Sequence, residues 1–68
     1  MIFYDKNKTP LQVGDYIIPD KGRKLLIVSI AYVSDYEEEC MFGQQVEDPL
    51  AFSVLTQENL SLQWTKVE

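Results

Sequence analysis

A chain of 68 residues forms one domain at most, residues 1–68, and lies near the lower size limit for a single hydrophobic core. Hydrophobic residues make up 46% of it, which excludes a disordered polar chain, and the formal net charge of −5 argues against direct binding of nucleic acid. One cysteine and no histidine exclude an internal disulfide and remove the commonest zinc ligand and general base.

The N-terminal sequence MIFYDKNK places apolar side chains ahead of the charges and contains no small-residue cleavage site, which is the reverse of a signal peptide. No window approaches the run of about 20 apolar residues that is needed to cross a bilayer. The single cysteine favours a reducing compartment. We therefore expect a cytoplasmic protein that does not engage a membrane.

Charge is divided unevenly along the chain. Residues 1–34 carry five cations and three anions, whereas residues 35–68 carry eight anions and one lysine. The acidic second part predicts a partner with a basic surface. The alternative is that the acidity only keeps a small domain in solution.

The first part of the chain reads as short strands separated by turns. Residues 1–4 are predicted to form a first strand, which a polar loop follows. A Gly14-Asp15 turn leads into a second strand over residues 16–18. Because Gly22 can adopt a positive φ angle, this strand is expected to form a hairpin with the next one.

The longest apolar run, residues 25–33, has a length that fits either a buried helix or a strand. Its β-branched residues and the glycine turn just upstream favour a strand that is buried on much of both faces. Since Ser29 belongs on the outer face, the alternation of a strand places Leu26, Val28 and Ile30 in the core.

Two further strands are predicted in the acidic second part of the chain. After an exposed connection, residues 39–46 form a strand with Gly43 as its bulge. A turn then leads to a strand over residues 51–55, with Phe52 and Val54 on one face. The large aromatic side chains are assigned to the core: Phe3, Phe42, Phe52 and Trp64.

The C-terminal residues predict a helical turn and a closing strand. Thr56 is placed to cap a single turn of helix. Leu60, Leu62 and Trp64 then alternate with polar residues, which predicts a half-buried final strand. Five or six short strands with regular turn signals predict an antiparallel all-β domain that closes into a small barrel.

The segments VGDYII (residues 13–18) and LIVSI (residues 26–30), with the Gly22 turn between them, resemble the opening hairpin of SH3-like barrels, including the KOW type. The helical turn before the last strand is similar to the one that those barrels carry. The resemblance implies a small antiparallel five- to six-stranded SH3-like barrel with one short helical turn, and it implies no activity. KOW-type barrels often bind RNA, and the acidity of this chain departs from that group.

A run of carboxylates marks the predicted binding site. Four of them lie within five residues and repel one another, and a cationic partner would relieve the repulsion. Tyrosines beside the run offer apolar anchors in an acidic surface that steers a basic partner. The alternative is a solvated loop. The predicted partner-binding residues are Tyr32, Asp35, Tyr36, Glu37, Glu38, Glu39, Glu47 and Asp48.

Metal binding and catalysis fit these residues poorly. The spacing of the carboxylates does not match a calcium-binding loop, and consecutive residues of a strand point to opposite faces. Cys40 has no histidine to activate it and is interpreted as a buried strand cysteine. We expect no catalytic residue, no metal and no cofactor.

The favoured function is that of a non-enzymatic acidic module, monomer or homodimer, that binds a basic protein surface. If that surface normally binds nucleic acid, the protein is an inhibitor that mimics DNA. In size and charge the chain is similar to the anti-CRISPR and anti-restriction inhibitors of phage and mobile elements. The alternative is an SH3-like accessory domain of a nucleic-acid or ribosome-associated complex that binds through its basic turn, Lys21, Arg23 and Lys24.

Overall fold

The computed structural model describes residues 1–68, and seven strands and one helix follow one another along them. The elements are β1 (Phe3–Tyr4), β2 (Pro10–Leu11), β3 (Tyr16–Pro19), β4 (Leu25–Val33), β5 (Glu38–Gln45), β6 (Phe52–Leu55), α1 (Gln57–Gln63) and β7 (Trp64–Lys66). β1 and β2 form a two-stranded ribbon, and the other five strands form one antiparallel sheet in the order β6-β5-β4-β3-β7. The predicted small antiparallel all-β fold with one short helix is confirmed.

The five-stranded sheet is open. Its end strands are β6 and β7, which are not hydrogen-bonded to each other, so the predicted closure into a barrel is not found. After α1 the chain returns to the far side of the sheet, where β7 pairs antiparallel with β3. With seven residues, α1 is far shorter than a helix that crosses a bilayer, and the chain has no other helix.

The predicted hairpin between the second strand and the central strand is confirmed. β3 pairs antiparallel with β4. Gly22 lies in the turn between them with a φ angle of 132°, which favours glycine. A Cβ atom at this position would also lie 3.1 Å from the Pro19 side chain, so both the backbone angle and the packing require glycine here.

The central strand β4 has the predicted bounds but a different inward face. Leu25 and Ile27 are almost fully buried and belong to the core. Ser29 is exposed, as the sequence predicts, but the predicted inward set was wrong at Leu26 and Val28, which are only half-buried. Ile30 lies opposite the buried Met41 and is still 36% exposed. Since residues 29–32 are all exposed, the predicted burial of both faces holds only for the first half of the strand.

A β-bulge in β4 explains the difference. Ile27 pairs with Gly43 and Ser29 pairs with Phe42, so Val28 is an extra residue. Counting back from Ser29 across this extra residue reverses the two faces of the strand. The bulge was predicted at Gly43, and it lies in the strand opposite. Gly43 is instead needed for packing, because a Cβ atom there would lie 2.8 Å from a side-chain atom of β4.

Nine buried apolar residues form the core, and every strand and the helix contribute at least one of them. Of the four aromatic residues predicted in the core, Phe3 and Trp64 are confirmed and Phe42 is half-buried. Phe52 is 59% exposed, so its assignment to the core was wrong. The core residues are Phe3, Leu11, Ile17, Leu25, Ile27, Met41, Leu55, Leu60 and Trp64.

The helix α1 begins where the sequence predicts and extends further. Asn59 N–H donates to the Thr56 hydroxyl at 3.1 Å, which confirms the cap. The predicted final strand was wrong before Trp64, because Leu60 is buried in the helix and Leu62 is 70% exposed. Residues two apart on a helix lie on opposite sides, so Leu60 faces the core and Leu62 faces solvent. Trp64 is the first residue of β7 and reaches the core from the sheet.

Asp5 is a buried carboxylate in the loop between β1 and β2. It accepts backbone N–H bonds from Asn7 at 2.9 Å, from Thr9 at 2.8 Å and from Lys66 at 2.8 Å. Burial by itself raises the pKa of Asp5, but the N–H donors of Lys66, Thr9 and Asn7 outweigh it, and the pKa is lowered. The bond to Lys66 joins the N-terminal ribbon to β7 at the edge of the sheet.

Replacing Asp5 by Asn places an NH₂ group against a backbone donor, so the free energy of unfolding at pH 7 should fall by about 2–3 kcal/mol. Because the folded pKa lies below the ordinary value of 3.8, Asp5 stabilises the fold fully above that value. This contribution is lost as the pH falls through the folded pKa.

Wild type should therefore lose more stability than Asp5→Asn between about pH 5 and pH 2. Urea unfolding across this range measures both effects, and Glu68→Gln, at an exposed C-terminal position outside the acidic run, is the control. Equal unfolding free energies for the two variants at pH 7 would contradict the structural role of Asp5.

Candidate protein-binding site

The β4–β5 hairpin carries the predicted acidic run at its closed end. Val33 pairs with Glu38, and residues 34–37 form the turn between them. Glu37 N–H donates to the Val33 carbonyl at 2.9 Å, a bond that spans one turn of helix. Glu37 has a φ angle of 55°, in the left-handed region that residues with a Cβ atom rarely adopt.

The outer half of this hairpin, between residues 29 and 40, is largely exposed apart from the buried Cys40. Residues 29–32 are all exposed, as are Glu38 and Glu39 on the opposite strand. Backbone hydrogen bonds from the β3 side of the sheet reach only to Ile27, and pairing with β6 reaches only to Met41. The last five residues of β4 span roughly 13 Å, so the turn projects well past the flanking strands.

The carboxylates surround the end of the hairpin and do not form one flat patch. Tyr32 pairs with Glu39, and Val33 pairs with Glu38. Because neighbouring residues of a strand alternate between faces, Tyr32 and Glu39 lie on the same side as Ile30, and Glu38 lies on the other.

We call Asp35, Glu37, Glu38 and Glu39 together the acidic tip. None of the four is in an ion pair, and residues 25–65 contain no lysine or arginine that could approach them from the same part of the chain. The four carboxylates also do not converge into a cluster that could hold a metal ion. The acidic tip is therefore a concentration of negative charge without local compensation.

Glu47 and Asp48 lie beyond the opposite end of β5, roughly 25 Å of strand away from the acidic tip. Glu47 forms an ion pair with Arg23. The Asp48 carboxylate accepts the Leu50 N–H at 3.3 Å and so belongs to the turn before β6. The structure does not bring these two residues together with the acidic tip, so the predicted site divides into two parts.

Tyr32 and Tyr36 are 64% and 50% exposed, as the sequence predicts for side chains beside the acidic run. Tyrosine has a large amphipathic side chain and is one of the residue types that most often anchor protein interfaces. The acidic tip therefore has two such side chains beside it.

A groove of about 470 Å³ lies at the base of the hairpin, between the N-terminal ribbon and β4. Ile2 and Ile30 are among its apolar walls, and the ion pair of Lys66 and Asp15, at 3.7 Å, is also at its surface. Sequence reasoning missed the groove because the elements that form it are far apart along the chain. Tyr32 follows Ile30 on the same face, so an apolar surface continues from the groove toward the acidic tip.

The basic turn, Lys21, Arg23 and Lys24, is partly neutralised within the chain. Arg23 is paired with Glu47, and the Lys24 ammonium lies 5.8 Å from the centre of the Tyr16 ring. Two of the three cations are therefore engaged, and the turn offers less free positive charge than its sequence indicates.

Cys40 is fully buried in β5, which confirms its interpretation as a strand cysteine. Burial, with a smaller contribution from the Glu38 carboxylate, raises the pKa of the Cys40 thiol. The thiolate form that acts as a nucleophile is thus disfavoured.

Comparison with protein-family models, with curated proteins and with solved structures found no match to this chain. The chemistry of a partner must therefore be inferred from the exposed residues of the protein itself.

Replacing Glu37 by Gly should stabilise the fold by about 1 kcal/mol, because glycine adopts a φ angle near 55° without the steric cost of a Cβ atom. Glu37→Ala is the matched control, since it removes the same charge and keeps the Cβ atom. Urea unfolding of the three proteins measures the difference. A Gly variant that is no more stable than the Ala variant would show that the turn is not strained.

Proposed function

We propose that this protein is a non-enzymatic binding module whose acidic tip docks on a basic surface of a partner protein. The observation that carries the proposal is the position of four unpaired carboxylates at the exposed end of a hairpin that extends past the strands on either side of it. Tyr32 and Tyr36, both at least half exposed, lie beside them.

The physical basis is the mutual repulsion of the carboxylates. Crowded like charges raise the free energy of the unbound hairpin, and the cations of a partner lower it on binding. A projecting hairpin can enter a concave basic surface that a flat sheet would not reach. The tyrosines supply the apolar contact that holds the complex once charge has steered the two proteins together.

We further propose that the partner surface is one that binds nucleic acid, so that the protein is an inhibitor of the DNA-mimic type and acts in the cytoplasm. Four carboxylates lie within residues 35–39, so the tip has a high local density of negative charge. A surface that binds a phosphate backbone is basic and attracts such a density of charge. This complementarity of charge supports competition for a surface that contacts nucleic acid.

The alternative, an SH3-like accessory domain that binds nucleic acid through Lys21, Arg23 and Lys24, has weaker support. The short helix directly before the last strand fits the SH3-like resemblance, but that resemblance concerns the fold. Glu47 offsets the charge of Arg23, whereas Lys21 and Lys24 keep theirs, so the turn has a reduced positive charge for phosphate contacts.

Affinity capture from a lysate of the source organism tests the proposal with two variants of equal net charge. Glu37, Glu38 and Glu39 are changed to Gln in the first, and Asp48→Asn, Glu58→Gln and Glu68→Gln are combined in the second. Wild type and the second variant should retain a basic nucleic-acid-binding protein that the first variant loses. Raising the salt concentration should release it, because exposed charges are screened.

An excess of duplex DNA should displace the captured protein if its basic surface is the one that binds nucleic acid. Equal capture by both variants would contradict a role for the acidic tip. Recovery of RNA or ribosomal material by all three proteins would move the function to the basic turn.

A further inference from the structure

The two edges of the sheet differ in how they are covered. At β7, Lys6 N–H donates to the Trp64 carbonyl at 2.9 Å, and Lys66 N–H donates to Asp5 at 2.8 Å, so the N-terminal loop covers this edge. At the other end of the sheet, β6 pairs only with β5. The outer edge of β6 is open.

At this open edge, Phe52 and Val54 expose both their side chains and their backbone N–H and C=O groups. Gln45 N–H donates to the Ala51 carbonyl at 2.9 Å, and the same register continues along β6. Because hydrogen-bonded pairs alternate along an antiparallel ladder, the N–H and C=O groups of Phe52 and Val54 point away from β5. Their side chains are 59% and 40% exposed.

Apart from its short length of four residues, β6 lacks the features that usually protect an edge strand. Its sequence, FSVL, contains no charge and no proline, and its register with β5 is regular. Leu50, in the turn that precedes the strand, is 91% exposed. An uncharged apolar edge of this kind is a template for pairing with another strand.

We propose that the open edge pairs with the open edge of a second copy of this chain, antiparallel and about a two-fold axis at Ser53. In this register Phe52 lies opposite Val54 of the second copy, and Val54 lies opposite its Phe52. The outward N–H and C=O groups of these residues form four backbone hydrogen bonds across the axis. The two sheets become one, with an aromatic residue opposite a β-branched residue on each side of the axis.

A second copy fits this edge because the register is self-complementary, which a closed two-fold interface requires. The exposed side chains of Leu50, Phe52 and Val54 amount to roughly 300 Å² per copy. A stable complex buries about 800 Å² per partner, so the dimer is weak and forms at roughly tens to hundreds of micromolar. Each copy carries a net charge of −5, so salt strengthens the dimer by screening the repulsion.

Sedimentation equilibrium from about 10 μM to 1 mM, at low and high salt, tests the association. The mass should rise from 7.9 kDa toward twice that value with concentration, and further at high salt. Val54→Lys should remain monomeric, because it places a charge on the open edge. Val13→Lys adds the same charge at a 52% exposed position outside β6 and should behave as wild type.

Disulfide trapping tests the register. The two-fold axis places the Cα atoms of the two Ser53 residues about 4.5 Å apart, so Ser53→Cys should form a covalent dimer on mild oxidation. Ala51→Cys is the control, since its two copies would lie roughly 13 Å apart along the junction. The native Cys40 is fully buried and does not compete. Wild type that stays at 7.9 kDa at about 1 mM, or equal trapping of the two cysteine variants, would overturn the proposal.

The dimer is independent of the proposed function, because β6 pairs with β5 only as far as Met41 and leaves the acidic tip free. Salt separates the two interactions. It strengthens the dimer and weakens binding of a basic partner, so the failure of one is not the failure of the other.

Discussion

The buried carboxylate of Asp5 joins the two ends of this chain. Three backbone N–H groups donate to it, and the one from Lys66 comes from 61 residues further along the sequence. Through this contact the N-terminal ribbon, which brings Phe3 to the core, is held against the strand that brings Trp64. Gln57 adds a second tie, since its side-chain amide bonds to both backbone groups of Tyr4 at 2.9 and 3.0 Å. With only nine core residues, the fold depends on these polar contacts to keep both ends in place.

The contact between Asp5 and Lys66 also makes the two edges of the sheet different. Asp5 and Lys6 satisfy backbone groups of β7, so one edge of the sheet is closed by the N-terminal loop. No segment of the chain pairs with the outer edge of β6, and no strand flanks the end of the β4–β5 hairpin beyond Met41. A chain of 68 residues cannot bury all of its strands, and the uncovered ones are the surfaces available for binding.

The sequence signals that held were local ones. The β-branched run predicted the bounds of the central strand, and Thr56 predicted the start of the helix, since each depends on neighbouring residues. The face of the central strand was missed because the extra residue Val28 reverses the alternation and leaves no mark in the sequence. The closing strand was misplaced because Leu60 and Trp64, four residues apart, satisfy a strand pattern and a helix pattern equally. The role of Asp5 depends on a partner 61 residues away, which no local pattern reveals.

The acidic run was visible in the sequence, but its position past the flanking strands and the pairing of Arg23 with Glu47 were not, because both depend on strand pairing. Two features of the acidic tip oppose folding: the repulsion of its carboxylates and the left-handed backbone at Glu37. Neither is required by the packing of the core, because the turn residues 34–37 are all exposed. A substitution at Glu37 would reduce both without changing the residues that pair between β4 and β5. These free-energy costs of folding lie together at an exposed turn, and the fold does not require them. A binding surface would impose costs of this kind. They therefore favour a functional acidic tip over one that only keeps the protein in solution.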